Sequence, residues 1–265
     1  MSAAGILTAT VVVGAVGIFV GLFLGVAGMK FKVQVDEKEE AVLAALPGNN
    51  CGGCGFAGCS GLAAAIARGE APVNACPVGG ESVGKTIAAI MGVEAGAARR
   101  LTAFVACQGD CDRTTKNYDY FGAEDCRMMG FVPDGGPKSC NSGCLGYGTC
   151  VKVCPFDAIR VVNGVAVVDR EACKACGKCV AVCPKKLISL VPYEAKFAAA
   201  CSSKDKGPVT MKACQTGCIG CGICVKNCPA QAVSVADFHA AIDQEKCTGC
   251  GTCAEKCPKK AIVRL

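Results

Sequence analysis

Cys247-Thr-Gly-Cys250-Gly-Thr-Cys253-Ala-Glu-Lys-Cys257-Pro258 places four cysteines within eleven residues and follows the last with proline. The same spacing occurs at Cys173, Cys176, Cys179, Cys183 and Pro184, 74 residues earlier. Upstream of each run is a second one. Gly-Cys-Leu-Gly-Tyr-Gly-Thr-Cys-Val-Lys-Val-Cys-Pro at 143–155 aligns without gaps, at that offset, on Gly-Cys-Ile-Gly-Cys-Gly-Ile-Cys-Val-Lys-Asn-Cys-Pro at 217–229. The chain therefore contains a duplicated unit.

C-x₂-C-x₂-C-x₃-C-P is a ligand run for paired [4Fe–4S] clusters, in which the fourth cysteine serves the other cluster. Crossing the ligands gives two sets in the second repeat: Cys218, Cys221, Cys224 and Cys257, and Cys247, Cys250, Cys253 and Cys228. The first repeat gives Cys173, Cys176, Cys179 and Cys154. Its remaining set, Cys144, Cys150 and Cys183, lacks a member because Tyr147 occupies the position of Cys221. Cys140, three residues before Cys144, is the nearest candidate to complete it; a three-cysteine [3Fe–4S] site is the alternative. Between the runs, Asn163-Gly164 flanked by β-branched residues predicts a tight hairpin.

Ahead of the repeats, Cys51-Gly-Gly-Cys54-Gly-Phe-Ala-Gly-Cys59 with Cys76 forms another four-cysteine group, and the Ala-rich stretch between Cys59 and Cys76 reads as a helix. Glycines there let backbone N–H groups approach sulfur. Five cysteines remain: Cys107, Cys111, Cys126, Cys201 and Cys214. They are either buried free thiols or part of a sixth cluster, built from Cys107, Cys111 and Cys126 with one more. The expectation is at least five [4Fe–4S] clusters, with a sixth open.

Other uses of 25 cysteines fit less well. An odd count leaves a thiol over in any disulfide framework, and no cleavable secretory signal places the body in an oxidising compartment. Structural zinc sites usually pair two C-x₂-C units, which the first group lacks. Trp is absent and aromatics are few, so metal–thiolate bonds replace much of an ordinary core. The formal charge of +6 counts each cysteine as neutral; five dianionic cluster sites bring it to roughly −4. The lysines then read as neutralisers beside clusters (Lys152, Lys174, Lys178, Lys226) and as a landing surface (Lys185, Lys186, Lys259, Lys260). No basic–aromatic interleaving marks a nucleic-acid footprint.

Residues 6–29 are uncharged and long enough to span a bilayer. Gly14, Gly17, Gly21 and Gly25 put small residues along one face, as a close helix neighbour in lipid requires. Lys30 and Lys32 follow, and nothing basic precedes. The positive-inside rule then places the N-terminus outside and the rest in the cytoplasm, as a single-pass protein of the cytoplasmic membrane. No catalytic constellation accompanies the cysteines: there is no G-x-G-x-x-G and no nucleophile–base pair, and the single histidine, His239, reads as a surface residue.

The expected class is α+β: a transmembrane anchor (1–30), a small four-cysteine [4Fe–4S] domain (31–95), a cysteine-containing connecting region (96–139) and two ferredoxin-like modules (140–195 and 196–265). This layout, with CGGCGFAGC followed by GCLGYGTCVKVCPFDAI and GCIGCGICVKNCP, resembles the B subunit of the Rnf complex, the ion-translocating ferredoxin:NAD oxidoreductase, in its long form with two ferredoxin repeats. The resemblance implies a chain without its own nucleotide site that accepts electrons from reduced ferredoxin. It would relay them to membrane, flavin and iron–sulfur subunits, which reduce NAD⁺ and translocate Na⁺ or H⁺. The CGGCGFAGC domain is similar to one found in corrinoid iron–sulfur proteins. A polyferredoxin serving a hydrogenase or a corrinoid-linked system is accordingly the alternative.

Overall fold

The computed structural model describes residues 3–30, 36–96 and 99–265. Helix α1 runs over Ala3–Lys30, and its described apolar side chains, among them Val13, Phe19 and Leu22, point outward with no protein against them. Its side chains are described without a gap only from 11 to 27. Among the described residues no helix is long and apolar enough to cross a membrane. Lys32, half of the expected basic flank, lies outside the described residues.

Three helices carry the first cysteine group. α2 (Glu37–Ala45) opens on Asp36, whose carboxylate accepts from the Lys38 amide at 2.9 Å. Glu37, Glu39 and Glu40 in its first turn complement the positive end of the helix. α3 (Cys59–Ala67) is the expected Ala-rich helix, and α4 (Gly80–Met91) ends on left-handed Gly92. Val42, Leu62, Ile66 and Ile87, none more than 1% exposed, lock the three together. Cys54, Cys59 and Cys76 pack on the rim of that core.

Each repeat is built from two antiparallel strand pairs and short helices. In the first, β1 (Leu101–Val105) pairs with β4 (Ile188–Pro192), Ala103 opposite Leu190. β2 (Ile159–Val162) and β3 (Val165–Val168) form the expected hairpin, with Asn163 and Gly164 both at positive φ. α5 (Thr149–Lys152) and α6 (Lys178–Val182) start inside the cysteine runs. The second repeat follows the same scheme. β5 (Phe197–Ala199) pairs with β8 (Ile262–Arg264), and β6 (Val233–Ala236) with β7 (His239–Ile242). α8 (Ile223–Lys226) and α9 (Thr252–Glu255) match α5 and α6, and α7 (Gly207–Ala213) precedes the first run. A left-handed glycine (148, 177, 222 and 251) precedes each of the four short helices, turning the chain sharply at little steric cost after a cysteine in three cases and after Tyr147 in the other.

β1 lies inside the stretch 96–139 that the sequence sets apart as a connection. Its pairing with β4 makes it the opening strand of the first repeat, as β5 is of the second. Isolated two-stranded sheets are marginal in water, so these hairpins need something at their centre to hold them.

Candidate metal centres

Spaces between the strands and short helices are lined by cysteine sets. Cys218, Cys221, Cys224 and Cys257 surround a small cavity walled by Ile219, Val235, Ala240 and Ile262. Cys154, Cys173, Cys176 and Cys179 surround another, walled by Phe156, Ile159 and Val168. Backbone N–H groups point at the sulfurs: Ala103 N donates to Cys173 Sγ at 3.4 Å and Ala232 N to Cys228 Sγ at 3.3 Å. Burial raises the Cys253 thiol above its ordinary pKa, and Cys228, Cys247 and Cys250 are near enough to raise it further. Exposed Cys250 is instead pulled down, chiefly by the Thr252 hydroxyl. In the first domain, burial also raises Cys76, with Cys51 and Cys59 adding to the effect, while Gly79 N donates to its sulfur at 3.4 Å.

The irregular set is arranged differently from the expectation. Cys144, Cys150 and Cys183 line one cavity, and the fourth cysteine in its wall is Cys126. Cys140 does not enter this space. A tight turn, Gly143 N to Cys140 O at 3.1 Å, separates it from Cys144 and sends the two sulfurs to different cavities. Cys126 is held by its amide, which donates to Thr149 Oγ1 at 2.9 Å, and that hydroxyl donates to Asp125 Oδ1 at 3.0 Å. Arg127 binds the same carboxylate and holds Asp125 well below the usual carboxylate range. Tyr147 turns away to meet the Tyr120 ring, centroids 6.1 Å apart.

Cys140 lines a fourth cavity together with Cys107, Cys201 and Cys214. Each repeat contributes two of these four. The arrangement has approximate two-fold character: Cys144 N donates to Cys107 Sγ at 3.3 Å, and the equivalent Cys218 N donates to Cys201 Sγ at 3.2 Å. The walls are more polar here, with buried Ser203 and Thr210 hydrogen-bonded to each other at 3.2 Å. Burial pushes the Cys140 thiol up to about 11, with the charges of Cys107, Cys201 and Cys214 adding to it. The grouping expected for a sixth cluster, Cys107 with Cys111 and Cys126, is not what the chain brings together. Cys111 is exposed, its amide on Asn163 O at 3.0 Å.

The sequence holds a signal for this arrangement. Cys201 follows Cys107 by 94 residues, whereas Cys214 follows Cys140 by 74. The first repeat therefore carries twenty extra residues between its equivalent cysteines, and Cys126 sits in that insertion.

The donor chemistry fits [4Fe–4S] groups: four thiols around a closed, largely apolar space, with N–H groups aimed at sulfur. Among the described residues no group of three or more donors converges as on one ion. Burial pushes Cys150 up to about 12 and Cys179 to about 11, so ligation there must displace protons.

Comparison with known proteins matches residues 46–78 to a family described as "Putative Fe-S cluster", and residues 136–184 and 217–261 each to a 4Fe-4S dicluster domain. Cys107, Cys126, Cys201 and Cys214 fall outside all three. The chain is 43% identical over 236 residues, 89% of each chain, to the B subunit of the ion-translocating oxidoreductase complex of Methanosarcina acetivorans. It is 46% identical over 206 residues to the B subunit of the Na⁺-translocating ferredoxin:NAD⁺ oxidoreductase complex of Acetobacterium woodii, covering 77% of this chain and 62% of that relative. The proton-translocating counterpart of Clostridium ljungdahlii is 41% identical over 209 residues, 78% of this chain and 73% of the relative. With that identity spread over nearly the whole chain, and the cysteine sets gathered as described, this protein belongs to the B-subunit family of ion-translocating oxidoreductase complexes.

Proposed function

We propose that this chain is a six-centre electron relay, anchored to the cytoplasmic membrane by α1, that accepts electrons from reduced ferredoxin and passes them to the other subunits of a complex reducing NAD⁺ with coupled Na⁺ or H⁺ translocation. Each [4Fe–4S] group, when bound, supplies a one-electron acceptor at low potential. The first domain holds one with Cys51, Cys54, Cys59 and Cys76. In the first repeat, Cys154, Cys173, Cys176 and Cys179 hold a second and Cys126, Cys144, Cys150 and Cys183 a third. Cys107, Cys140, Cys201 and Cys214 hold a fourth between the repeats. Cys218, Cys221, Cys224 and Cys257, and then Cys228, Cys247, Cys250 and Cys253, hold the last two. Cys111 is left over.

The observation that carries this reading is that each set touches the next. Gly53 lies so close to the Cys176 backbone that a Cβ there would stand 2.6 Å from its carbonyl oxygen, which brings the first domain against the second set. α5 carries Cys150 to one set and delivers Cys154, just past its end, to the other; α8 does the same with Cys224 and Cys228. The amides of Cys144 and Cys218 then rest on the sulfurs of Cys107 and Cys201. Ligands of neighbouring sets are thus joined from the first domain to the last run without a gap.

α1, at 28 residues, is about 42 Å long at 1.5 Å per residue, more than the ~30 Å hydrocarbon layer. Its outward apolar side chains suit lipid, and Lys30 at its end suits the cytoplasmic side.

Iron and acid-labile sulfide per chain test the relay: about 24 of each are expected for six clusters, and about 20 would remove the centre between the repeats. Membranes lacking the chain should lose ferredoxin-dependent NAD⁺ reduction. Unchanged activity would exclude the role.

A further inference from the structure

Lys138 is 5% exposed. Its ammonium donates to Gly109 O at 2.9 Å and to Gly164 O at 2.8 Å, and it forms no ion pair among the described residues. Burying a cation against carbonyls alone is costly. The chain nevertheless pins it in place. Lys138 bridges to Lys116, Asn117 N donates to Pro137 O at 2.8 Å, and Ser139 N donates to Thr115 O at 2.9 Å. Gly164 leaves the room required, since a Cβ there would meet Cys111 Sγ at 2.6 Å and approach Lys138 Nζ at 3.7 Å.

The charge lies between two cysteine sets. Gly109, whose carbonyl it binds, lines the space of Cys107, Cys140, Cys201 and Cys214, and the Gly164 carbonyl that it also binds lies against Gly146, in the wall of the space lined by Cys144. The second repeat offers an internal control. Lys138-Ser-Cys140 corresponds to Lys212-Ala-Cys214, yet Lys212 is exposed in the last turn of α7. The turn position equivalent to Gly164 is Phe238.

We propose that the buried ammonium of Lys138 sets the reduction potentials of the two centres it adjoins, holding them above the two centres farther along the second repeat. The inference rests on the six-centre reading above. One-electron reduction adds a negative charge to a site that is already anionic, with no bond made or broken and no proton moved. A fixed positive charge nearby favours the reduced form over the oxidised one. The electron comes from the low-potential donor that feeds the relay. Electrons entering from either end would then come to rest at the junction of the repeats before moving on.

The test is an anaerobic potentiometric titration followed by EPR on the full, cluster-loaded chain, comparing the unsubstituted protein with K138M, K138R and K212M. K138M should move two centres to more negative potential at unchanged iron content, K138R should restore them, and K212M should move none. K138Q, which keeps a donor for the Gly109 and Gly164 carbonyls, replaces K138M if the latter loses iron. Unmoved potentials in K138M or K138Q, an equal shift in K212M, or a shift that K138R leaves uncorrected would overturn the proposal. Iron near 20 per unsubstituted chain would overturn the six-centre reading instead. The Cys144 centre would still report on Lys138 in the same titration.

Discussion

The two repeats place their cysteine runs at one constant offset and close matching strand pairs, yet they complete equivalent cavities from different parts of the chain. In the second, Cys221 comes from within the run and the neighbouring Ile223 is exposed. In the first, Tyr147 and Thr149 stand at those positions. The ring leaves the cavity and the buried hydroxyl receives the amide of Cys126, which arrives from a twenty-residue insertion. The substitution at one position and the hydroxyl two residues later thus form a pair, with the second holding the replacement for what the first removed. The insertion also covers Lys138, whose counterpart faces solvent. A duplicated unit has kept its cavities while changing where the fourth donor comes from and what charge lies beside it.

The comparison can be broken most severely at the centre that both repeats share. Cys201→Ala combined with Cys214→Ala takes away both donors that the second repeat supplies, and should remove about four of 24 irons and interrupt the relay between the repeats, measured as iron content and as loss of ferredoxin-dependent reduction in membranes; full iron with full activity would contradict the shared set. Next comes the equivalence of Cys126 and Cys221. Cys126→Ala should leave a three-cysteine site that loses one iron, and adding Tyr147→Cys should return it to the regular pattern, both visible by EPR and iron assay. A double variant still short of iron would mean that the Tyr147 position no longer faces the cavity.

Gly53→Val forces a side chain into the Cys176 backbone. Overpacking of this kind costs about 1–3 kcal/mol, and the first domain should separate from the first repeat. Magnetic coupling between their reduced centres would weaken while both centres stay loaded. Thr149→Val removes the acceptor for the half-buried Cys126 amide, a loss of about 1 kcal/mol for the hydrogen bond. Iron release under chelator should quicken from that site alone, and Ile223→Val should change nothing comparable.

The smallest effect concerns acid. Asp125 has its pKa depressed, first by its bond to Arg127. Its contribution is therefore present above the ordinary carboxylate range and is lost only as pH falls through the depressed value. The Cys126 site should keep its iron down to the pH at which free carboxylates titrate, and Arg127→Gln should raise the pH at which release begins. Identical release profiles for the two chains would show that this carboxylate does not hold the loop.

Much of this was legible from spacing. The C-x₂-C runs fix local geometry, because three thiols within seven residues with left-handed glycines between them can only wrap one side of a small cavity. The hairpin at Asn163-Gly164 and the Ala-rich α3 were equally local. What spacing could not reveal were the donors whose partners are distant. Cys126 and Cys140 lie 14 residues apart in one stretch but enter different cavities. Proximity along the chain favoured Cys140 for the irregular set, whereas contacts between the repeats, Thr115 N on Ala213 O, Gln215 N on Arg113 O and Ser202 Oγ on Ala106 O, bring Cys107, Cys140, Cys201 and Cys214 together. The unequal offsets, 94 against 74, recorded the insertion but not its path.

The shared set also constrains how the protein can mature. Two of its cysteines precede residue 141 and two follow residue 200, so a chain still emerging from the ribosome holds half a site and exposes it until the second repeat is complete. Within each repeat the crossed pattern imposes the same delay on a shorter scale, as Cys144 waits for Cys183 and Cys218 for Cys257. Completion of the bridging set is therefore expected to follow translation of the second repeat, and a chain ending before residue 201 would hold only half of its donors.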